Sequence, residues 1–501
     1  MLRSIRSVVL ILSAIFAAYI LQRISERPSL VQQVQGRNNT ALFIINELSG
    51  LHNVHMATIQ SLRMNHPQVE VHVASWPGVE AKLKRISDKA YFHGLKSQGY
   101  LEAVLAISGT TEITDGIMGP GLSGISKFTA FMQIWMSPWS NEEHFALIEE
   151  TGKLMDTIDP AVVVLDTFMW PAISAAREKN RLHAFIVPNM LADSFPHAQW
   201  WAKGFWKYPA LGSPSEFPIP LASKLAEIWY AIRVRYVLSW TPNLRSKKAY
   251  LKKRGIRSKS MDFYGLYRPD TPWITQTLPE ASIPVDYIPP NVTCTGPITV
   301  NVALATEQDE KMAHWLAQLP TVLVNLGNTV SLLLDENPRL QVLWKYQRAG
   351  NYSEDTFRKI AEKHVVDGRF RIVSWLEIDP FAILETGHVI AFVHHGGAGS
   401  YHEGLAAGVP HVVLPLWVDH YNIAVLVERL NIGIWGCRAS SPQWTAECLH
   451  GSIASLVEAN ENTKRIRKNA DKLAEISRAS PGRDGAARIV ARFADSSYTS
   501  S

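Results

Sequence analysis

One stretch, from Val389 to Asn422, limits what this chain can fold into more than any other. Val389 to Val393 is a short apolar run, typical of a buried parallel strand. It runs into the glycine-rich sequence HHGGAGS, which precedes a predicted helix, Tyr401 to Ala407, and a second apolar run, His411 to Leu416. Strand, turn, helix and strand in this order predict a βαβ unit built on a parallel sheet.

The glycine-rich turn inside this unit favours an anion. Glycines lack Cβ atoms and let a phosphate approach the backbone, while the N–H groups and dipole of the following helix attract negative charge. The alternative is that these glycines only form a tight crossover turn, because a glycine-rich turn alone is weak evidence for a site.

Length and composition set the remaining bounds. A chain of 501 residues predicts two or three domains. A hydrophobic fraction of 47% and a charged fraction of 19% are ordinary for an α/β protein, and a net charge of +5 is too diffuse to indicate nucleic acid. Cys294, Cys437 and Cys448 have no C-x-x-C spacing, which argues against a metal cluster or a disulfide framework and leaves a single disulfide open.

The N-terminus predicts a membrane segment. An apolar run from Ser7 to Leu21 is flanked on both sides by arginines. We expect a signal-anchor over residues 1–27 and a single-pass protein of the endoplasmic reticulum, with a cleaved signal peptide and the secretory pathway as the alternative. Sequons at Asn38, Asn291 and Asn351 are compatible with translocation.

The first half of the chain predicts two polar groups at one sheet edge. His52 follows the strand predicted over Ala41 to Asn46, and Asp166 follows the strand predicted over Ala161 to Leu165. Ligands bind at the carboxyl ends of strands in open parallel sheets. A histidine there is a base or a helix-capping group. A carboxylate there orients such a histidine or caps the next helix.

Between the two halves the pattern is less regular. The segment from Asn189 to Pro220 is rich in aromatic residues and prolines, which predicts a binding loop for an apolar ligand, contact with a bilayer, or a loop packed on its own domain. Gly119 to Gly124 is predicted as a loop. The basic run Lys247 to Lys259 is predicted as a solvated helix face.

A proline-rich stretch, Pro279 to Pro297, predicts the boundary after which the α/β alternation restarts. We predict a first domain over residues 40–278, a linker over 279–300, a second domain over 301–480 and a C-terminal tail over 481–501. Two βαβ-type halves joined in this way imply a cleft between them. His52 and Asp166 then face the glycine turn across it.

The stretch that begins at Trp375 resembles the nucleotide-sugar signature of the family 1 UDP-glycosyltransferases, closest to the sterol and macrolide branch. The positions that match in register are Trp375, His395, Gly397, Ser400, Glu403, Gly408-Val409-Pro410, Pro415 and Asp419. SGLH around His52 and VVVLD up to Asp166 resemble the family's base and its partner. The resemblance spans residues 41–480 and implies the GT-B fold, an α/β fold of two Rossmann-like domains facing across a cleft.

The resemblance also implies a function and roles for residues. We expect inverting transfer of a hexose from a UDP-sugar to a hydroxyl of a lipophilic small molecule such as a sterol, terpenoid, lipid or other secondary metabolite. His52 is expected as the base and Asp166 as its partner. The expected donor-binding residues are Trp375 for uracil, Glu403 for ribose, His395, Gly397, Ser400 and Asn328 for the diphosphate, and Asp419 and His420 for the sugar. The expected acceptor-binding residues are His55, Asn189, Trp200, Trp201 and Phe205. His55 is also a second candidate base, with a structural role as the alternative.

Two departures from the family pattern leave questions open. Trp375 to Ile378 reads Trp-Leu-Glu-Ile where the family usually has Trp-x-Pro-Gln, and His420 replaces the usual glutamine that contacts the sugar. The identity of the sugar therefore stays open. No cofactor or metal is expected beyond the UDP-sugar co-substrate, since the chain has no D-x-D motif. The expected partners are the donor, a hydrophobic hydroxylated acceptor and the membrane. The alternatives are a catalytically silent nucleotide-sugar or lipid-binding homologue, and an epimerase or phosphorylase on the same fold.

Overall fold

The computed structural model of the protein describes residues 33–109, 116–258, 260–324, 331–346 and 355–495, and its core is two parallel β-sheets. The first sheet has seven strands in the order β3-β2-β1-β4-β5-β6-β7. These strands are β1 (Arg37–Ile44), β2 (Glu70–Ser75), β3 (Tyr91–Gly94), β4 (Pro160–Leu165), β5 (His183–Val187), β6 (Trp273–Thr275) and β7 (Val292–Cys294).

Ten helices belong to the described part of this first half. They are α1 (Ser49–Asn65), α2 (Glu80–Ile86), α3 (Tyr100–Ser108), α4 (Gly121–Trp135), α5 (Asn141–Ile158), α6 (Trp170–Glu178), α7 (Leu191–Ser194), α8 (Lys203–Trp206), α9 (Lys224–Trp240) and α10 (Pro242–Lys253). α5 begins with a capping box in which the Ser140 side chain accepts from the Glu143 backbone N–H.

The second sheet has six strands in the order β10-β9-β8-β11-β12-β13. These strands are β8 (Thr321–Val324), β9 (Gln341–Lys345), β10 (Phe370–Val373), β11 (Val389–His394), β12 (His411–Val413) and β13 (Gly433–Trp435). The described helices of this half and of the C-terminus are α11 (Ala305–Gln308), α12 (Glu310–Leu316), α13 (Ser331–Glu336), α14 (Asp355–Val366), α15 (Pro380–Leu384), α16 (Ala398–Ala407), α17 (His420–Leu430), α18 (Ala446–Val457), α19 (Glu461–Ala479) and α20 (Gly482–Ala494).

Both sheets are parallel throughout the pairs that define them, which confirms the prediction of two parallel α/β halves. In the first sheet Ile44 of β1 lies opposite Leu165 of β4. In the second, Val393 of β11 lies between Val324 of β8 and Val412 of β12. The register therefore brings the segments that follow these strands to one edge of each sheet.

The residues after position 480 are not a tail. α20 packs on the first sheet, where Ala487, Val490 and Ala494 join a buried cluster with Ala41 and Phe43 of β1. The prediction of a polar tail over 481–501 is wrong up to residue 495, because the helix presents a buried apolar face that its basic residues obscure in the sequence.

Three further expectations are corrected by the structure. The stretch predicted as a linker, 279–300, contains β7, the last strand of the first sheet. The loop predicted over Gly119 to Gly124 instead includes the start of α4 at Gly121. Lys247 does not lie on a solvated face, since it is buried and its ammonium donates to the Trp139 carbonyl.

Of the three cysteines, Cys437 and Cys448 form a disulfide that ties the end of β13 to α18. Cys294 is free and half-buried. The single disulfide that the sequence left open is therefore present in the second half.

The prediction of a single-pass membrane protein of the endoplasmic reticulum is corrected. The anchor predicted over residues 1–27 lies outside the described residues. Among the helices that the structure does describe, none is long and apolar enough to cross a bilayer.

Candidate functional site

The glycine-rich turn between β11 and α16 is shaped for close approach to the backbone. Gly396 has φ +93°, and a Cβ there would lie 2.8 Å from Val413 Cγ1. A Cβ at Gly397 would lie 2.4 Å from His395 Nε2. α16 begins after Gly397 without a side-chain cap, so the first N–H groups of the helix stay available to an anion.

Buried neutral histidines surround this turn. The rings of His395 and His420 lie edge to face with centroids 4.7 Å apart. Burial lowers the pKa of His395 to about 4, and burial together with His395 lowers the pKa of His420 well below its usual value. Trp417 Nε1 donates to His420 Nε2 at 2.8 Å, which leaves the proton of the neutral ring on Nδ1, a buried atom with no hydrogen-bond partner.

Two carboxylates and an open aromatic ring complete the site predicted for the donor. Burial raises the pKa of Glu403 to about 7, an effect that Asp379 increases and Lys345 opposes. Burial raises the pKa of Asp419 to about 6. The Trp375 side chain is 58% exposed, and Lys345 Nζ lies 4.8 Å from its ring centroid. The ring is thus free to stack on a planar group beside a cation.

On the first half, His52 lies in the first turn of α1 with a lysine at its ring. Lys82 Nζ is 3.1 Å from His52 Nε2 and 2.8 Å from Ser49 Oγ. Burial and, secondly, the charge of Lys82 lower the pKa of His52 to about 4, although nearby backbone carbonyls of Glu47 and Asn46 oppose the shift. His52 is therefore neutral near pH 7, with Nε2 accepting from the ammonium and the proton on Nδ1.

Asp166 follows β4 and is almost fully buried. Its Oδ1 accepts from the Phe168 backbone N–H at 2.6 Å, and its Oδ2 has no hydrogen-bond partner. Burial raises its pKa to about 7. Within the described residues no hydrogen bond joins Asp166 to His52, so the two lie at neighbouring strand ends without the contact that the sequence predicts.

The two halves meet at this site. α1, which carries His52, is in contact with α16, which follows the glycine turn. The charge of Lys345, in the second half, lowers the pKa of Lys82, in the first half. The structure thus brings His52 to the side of the molecule that faces the glycine turn and Trp375.

The predicted acceptor residues are dispersed. His55 is fully buried in the core against Phe43, with ring centroids 6.3 Å apart. Trp200 and Trp201 are 60% and 73% exposed, whereas Asn189 and Phe205 are half-buried. Asn328, predicted to contact the diphosphate, lies outside the described residues.

Four site residues were missed from the sequence: Lys82, Lys345, Trp417 and Asp193. Trp417 reaches across to the first half, with its ring centroid 5.0 Å from Phe131 and 5.2 Å from Trp135. None of the four belongs to a motif. A signal existed only for Trp417, which lies two residues before Asp419 in the recognised stretch.

Asp193, in α7, is buried and directed toward the sugar end of the site. Its Oδ2 has no hydrogen-bond partner, and burial together with the charge of Asp419 raises its pKa well above the usual range. Among the described residues no group of three or more histidines, cysteines and carboxylates is arranged to hold a metal ion.

The chain is similar in sequence to known proteins of sugar transfer and antibiotic biosynthesis. Residues 358–491 match the family model described as the C-terminal domain of erythromycin biosynthesis protein CIII-like proteins. The glycosyltransferase sdnJ of Sordaria araneosa is 28% identical over 91% of this chain and 97% of its own length.

Solved structures show the same fold. The glycotransferase of kitacinnamycin superposes with a TM-score of 0.62 at 17% identity, covering 91% of this chain and 99% of that protein. A UDP-glucose:anthocyanidin 3-O-glucosyltransferase in complex with UDP superposes with a TM-score of 0.57 at 14% identity, covering 92% and 100%.

The two facing parallel sheets and the glycine turn are those of the GT-B class of glycosyltransferases. Within that class, the chain is similar to the family 1 UDP-glycosyltransferases, and the comparisons support a UDP-sugar-dependent glycosyltransferase.

Proposed function

We propose that this enzyme transfers a hexose from a UDP-sugar to a hydroxyl of a lipophilic small molecule, with inversion at the anomeric carbon. The observation that carries the proposal is His52, a neutral imidazole on the face of the first half that meets the glycine turn. A neutral imidazole at this place is suited to remove a proton from an acceptor hydroxyl.

In the proposed step, the acceptor oxygen attacks the anomeric carbon from the face opposite the diphosphate. The bond from that carbon to the diphosphate oxygen breaks as the new bond forms, and the hydroxyl proton passes to His52 Nε2. UDP leaves with the bonding electron pair. The N–H groups at the start of α16 and the His395 side chain stabilise its negative charge.

Asp166 is proposed to accept a hydrogen bond from His52 Nδ1 when substrates are bound. Two complementary buried atoms without a side-chain partner support this role, His52 Nδ1, which lies near the backbone carbonyls of Glu47 and Asn46, and Asp166 Oδ2. The contact would stabilise the imidazolium formed in the reaction and would lower the raised pKa of the carboxyl group.

The donor is proposed to lie along the second half. Uracil would stack on the exposed ring of Trp375, and the ribose hydroxyls would donate to Glu403. The diphosphate would lie between His395 and the backbone from Gly397 to Ser400. The sugar hydroxyls would contact Asp419 and the free Nδ1–H of His420, which can serve as a donor in place of an amide.

The acceptor is proposed to be an apolar alcohol such as a sterol, terpenoid or other secondary metabolite. The exposed aromatic side chains of Trp200 and Trp201, on the half that carries His52, support this choice. The solved structures with the same fold include a glycotransferase of kitacinnamycin and an anthocyanidin 3-O-glucosyltransferase, and a small-molecule acceptor is proposed here as well.

A test replaces the base. His52→Ala is expected to lower the transfer rate by about 10²- to 10⁴-fold, the usual contribution of a general base. UDP affinity, measured by calorimetry, should stay within a few-fold because the ring contacts the acceptor and not the nucleotide. Transfer would be followed by product mass, with a panel of UDP-sugars and mixed lipophilic alcohols.

His66→Ala is the matched control, since His66 caps the opposite end of the same helix. It should transfer sugar at the wild-type rate. If His52→Ala transferred sugar as fast as this control, the base would have to be another group and the proposed mechanism would be wrong.

A further inference from the structure

The side chain that contacts the proposed base is a lysine. Lys82 projects from α2, a short helix that follows β2, and its ammonium reaches both Ser49 Oγ and His52 Nε2 in α1. His52 Nε2 carries one lone pair, and this hydrogen bond occupies it. An acceptor hydroxyl cannot use the same lone pair while Lys82 holds it.

Lys82 is also held in an unfavourable place for a cation. Its side chain is half-buried. The charges of Lys345, on the second half, and of Arg85, on its own helix, act on it. Burial, Lys345 and Arg85 together lower the pKa of the Lys82 ammonium. Lys345 in turn lies over the ring of Trp375, with Nζ 4.8 Å from the ring centroid. The charge of one cation on the second half thus acts on a cation of the first half that contacts the proposed base.

An anion between these lysines would relieve their repulsion. Ser49 gives Lys82 only a neutral hydroxyl as a partner besides His52, and among the described contacts no carboxylate pairs with it. A diphosphate supplies several charged oxygens, and hydrogen bonds between an ammonium and such oxygens are about twice as strong as neutral ones. The donor therefore competes well with His52 for the Lys82 ammonium.

We propose that Lys82 is a positioning residue that makes the reaction depend on donor binding. In the empty site its ammonium covers His52 Nε2. When the UDP-sugar binds, Lys82 moves onto the diphosphate opposite Lys345, and His52 is uncovered for the acceptor hydroxyl. This inference rests on the proposed function, in which His52 is the base.

Two consequences follow from this exchange. The donor binds first and the acceptor second, because the base is available to the acceptor only after Lys82 has moved. In addition, Lys82 of the first half joins the donor held by the second half, so donor binding draws the halves together. A lysine that only tied α2 to α1 through Ser49 would affect stability but not the order of binding.

The test replaces the ammonium and keeps the aliphatic stem. Lys82→Met is expected to weaken UDP binding about tenfold in calorimetry, a loss typical of one hydrogen bond to a charged group. Initial-rate kinetics with both substrates varied should change from an ordered mechanism, donor first, to a random one. Lys82→Arg, which keeps the charge, should restore most of the UDP affinity.

The pH profile gives a readout that a purely structural role would not move. The titratable groups near His52 are Lys82 from α2, His55 from α1 itself and the proposed partner Asp166 after β4, and of these it is Lys82 whose charge lowers the pKa of His52. The ammonium disfavours the imidazolium, so its removal raises the pKa of the free base. The acidic limb of kcat/KM should therefore move to higher pH in Lys82→Met.

Lys84→Met is the matched control, because Lys84 lies on the same helix and is exposed in a surface ion pair with Glu80. It should leave UDP affinity, binding order and pH profile unchanged. Unchanged UDP affinity in a folded Lys82→Met protein would overturn the inference, and so would an unchanged order of binding. The calorimetric result does not depend on His52 being the base. If His52→Ala still transferred sugar while Lys82→Met bound UDP weakly, the proposed function of His52 would be wrong. The contact between Lys82 and the diphosphate would still hold.

Discussion

At the scale of single residues, burial decides the charge of the groups in this site more than partners do. Burial is the largest cause of the lowered pKa of His52 and His395 and of the raised pKa of Asp166, Glu403 and Asp419. Burying these groups without partners lowers the stability of the empty protein. The same buried polar groups are available to bind a charged, hydroxyl-rich donor.

Asp166 provides a test of this cost. Its pKa is about 7 in the folded protein and near 4 in an unfolded chain, so the folded state binds the extra proton between these values. Stability from this group is therefore highest below pH 4 and falls as the pH rises to about 7. Asp166→Asn should raise the free energy of unfolding at pH 8, by up to about 4 kcal/mol, and leave it nearly unchanged at pH 4.

The measurement is chemical denaturation at both pH values. Asp88→Asn, at an exposed position, is the control and should show no such difference. The stability gain of Asp166→Asn over wild type should be larger at pH 8 than at pH 4. An equal gain at both pH values would mean that the carboxyl group ionises without cost and is already paired in the empty protein. The same variant should lose transfer activity, because asparagine cannot offset an imidazolium charge.

The roles of site residues stay predictions, and the sequence supplies them only where a motif carries them. Trp375, His395, Glu403 and Asp419 occupy one contiguous stretch, and local spacing is enough to identify them. Lys82 and Asp193 were not predictable, because their significance depends on groups that are distant in the sequence. His52 and Asp166 were both placed at strand ends, but spacing does not determine whether a hydrogen bond joins their side chains.

At the scale of elements, apolar runs identified most of the buried strands. β4, with all six residues buried, and β11 agree with the sequence within one residue. The edge strand β3 was missed because its exposed and half-buried residues carry no alternation of polarity. β7 and α20 were missed for another reason. β7 lies in the stretch predicted as a linker and α20 in the stretch predicted as a tail, yet both pack with the first sheet.

α20 is therefore expected to stabilise the half that carries His52. Val490 is fully buried in the cluster beneath the first sheet. Val490→Ala removes two methyl groups from that core and should lower the free energy of unfolding by about 1–3 kcal/mol. Arg488→Ala, at an exposed position of the same helix, should change it by less than about 0.5 kcal/mol.

Thermal or chemical unfolding of the full chain measures both variants. Equal stability of Val490→Ala and Arg488→Ala would mean that α20 is detached from the sheet in solution. A loss of transfer activity in Val490→Ala under conditions where it is still folded would show that the helix also positions α1, which it contacts through Ser61 and Asp484.

At the scale of the whole molecule, the segment from Leu416 to Asn422 ties the two halves together. The Met118 backbone N–H donates to the Leu416 carbonyl at 3.0 Å, and the Gly212 N–H donates to Asn422 Oδ1 at 2.6 Å. The proposed sugar-binding residues Asp419 and His420 lie between these two contacts. A sequence pattern predicts such a segment but not its partner surface, which exists only once both halves have folded and met.

Trp417 carries the aromatic part of this contact and allows it to be measured. Its ring lies edge to face against Trp135, with centroids 5.2 Å apart. Aromatic pairs of this kind contribute about 0.5–1.5 kcal/mol beyond area burial, so a double-mutant cycle of Trp135→Ala and Trp417→Ala should show coupling of that size in kcat/KM. Trp229, exposed on α9, supplies the control pair, and Trp229→Ala with Trp417→Ala should be additive within about 0.5 kcal/mol. Additivity of the Trp135 pair as well would mean that the halves do not make this aromatic contact during catalysis, and that the hydrogen bonds of this segment hold the sugar end of the site.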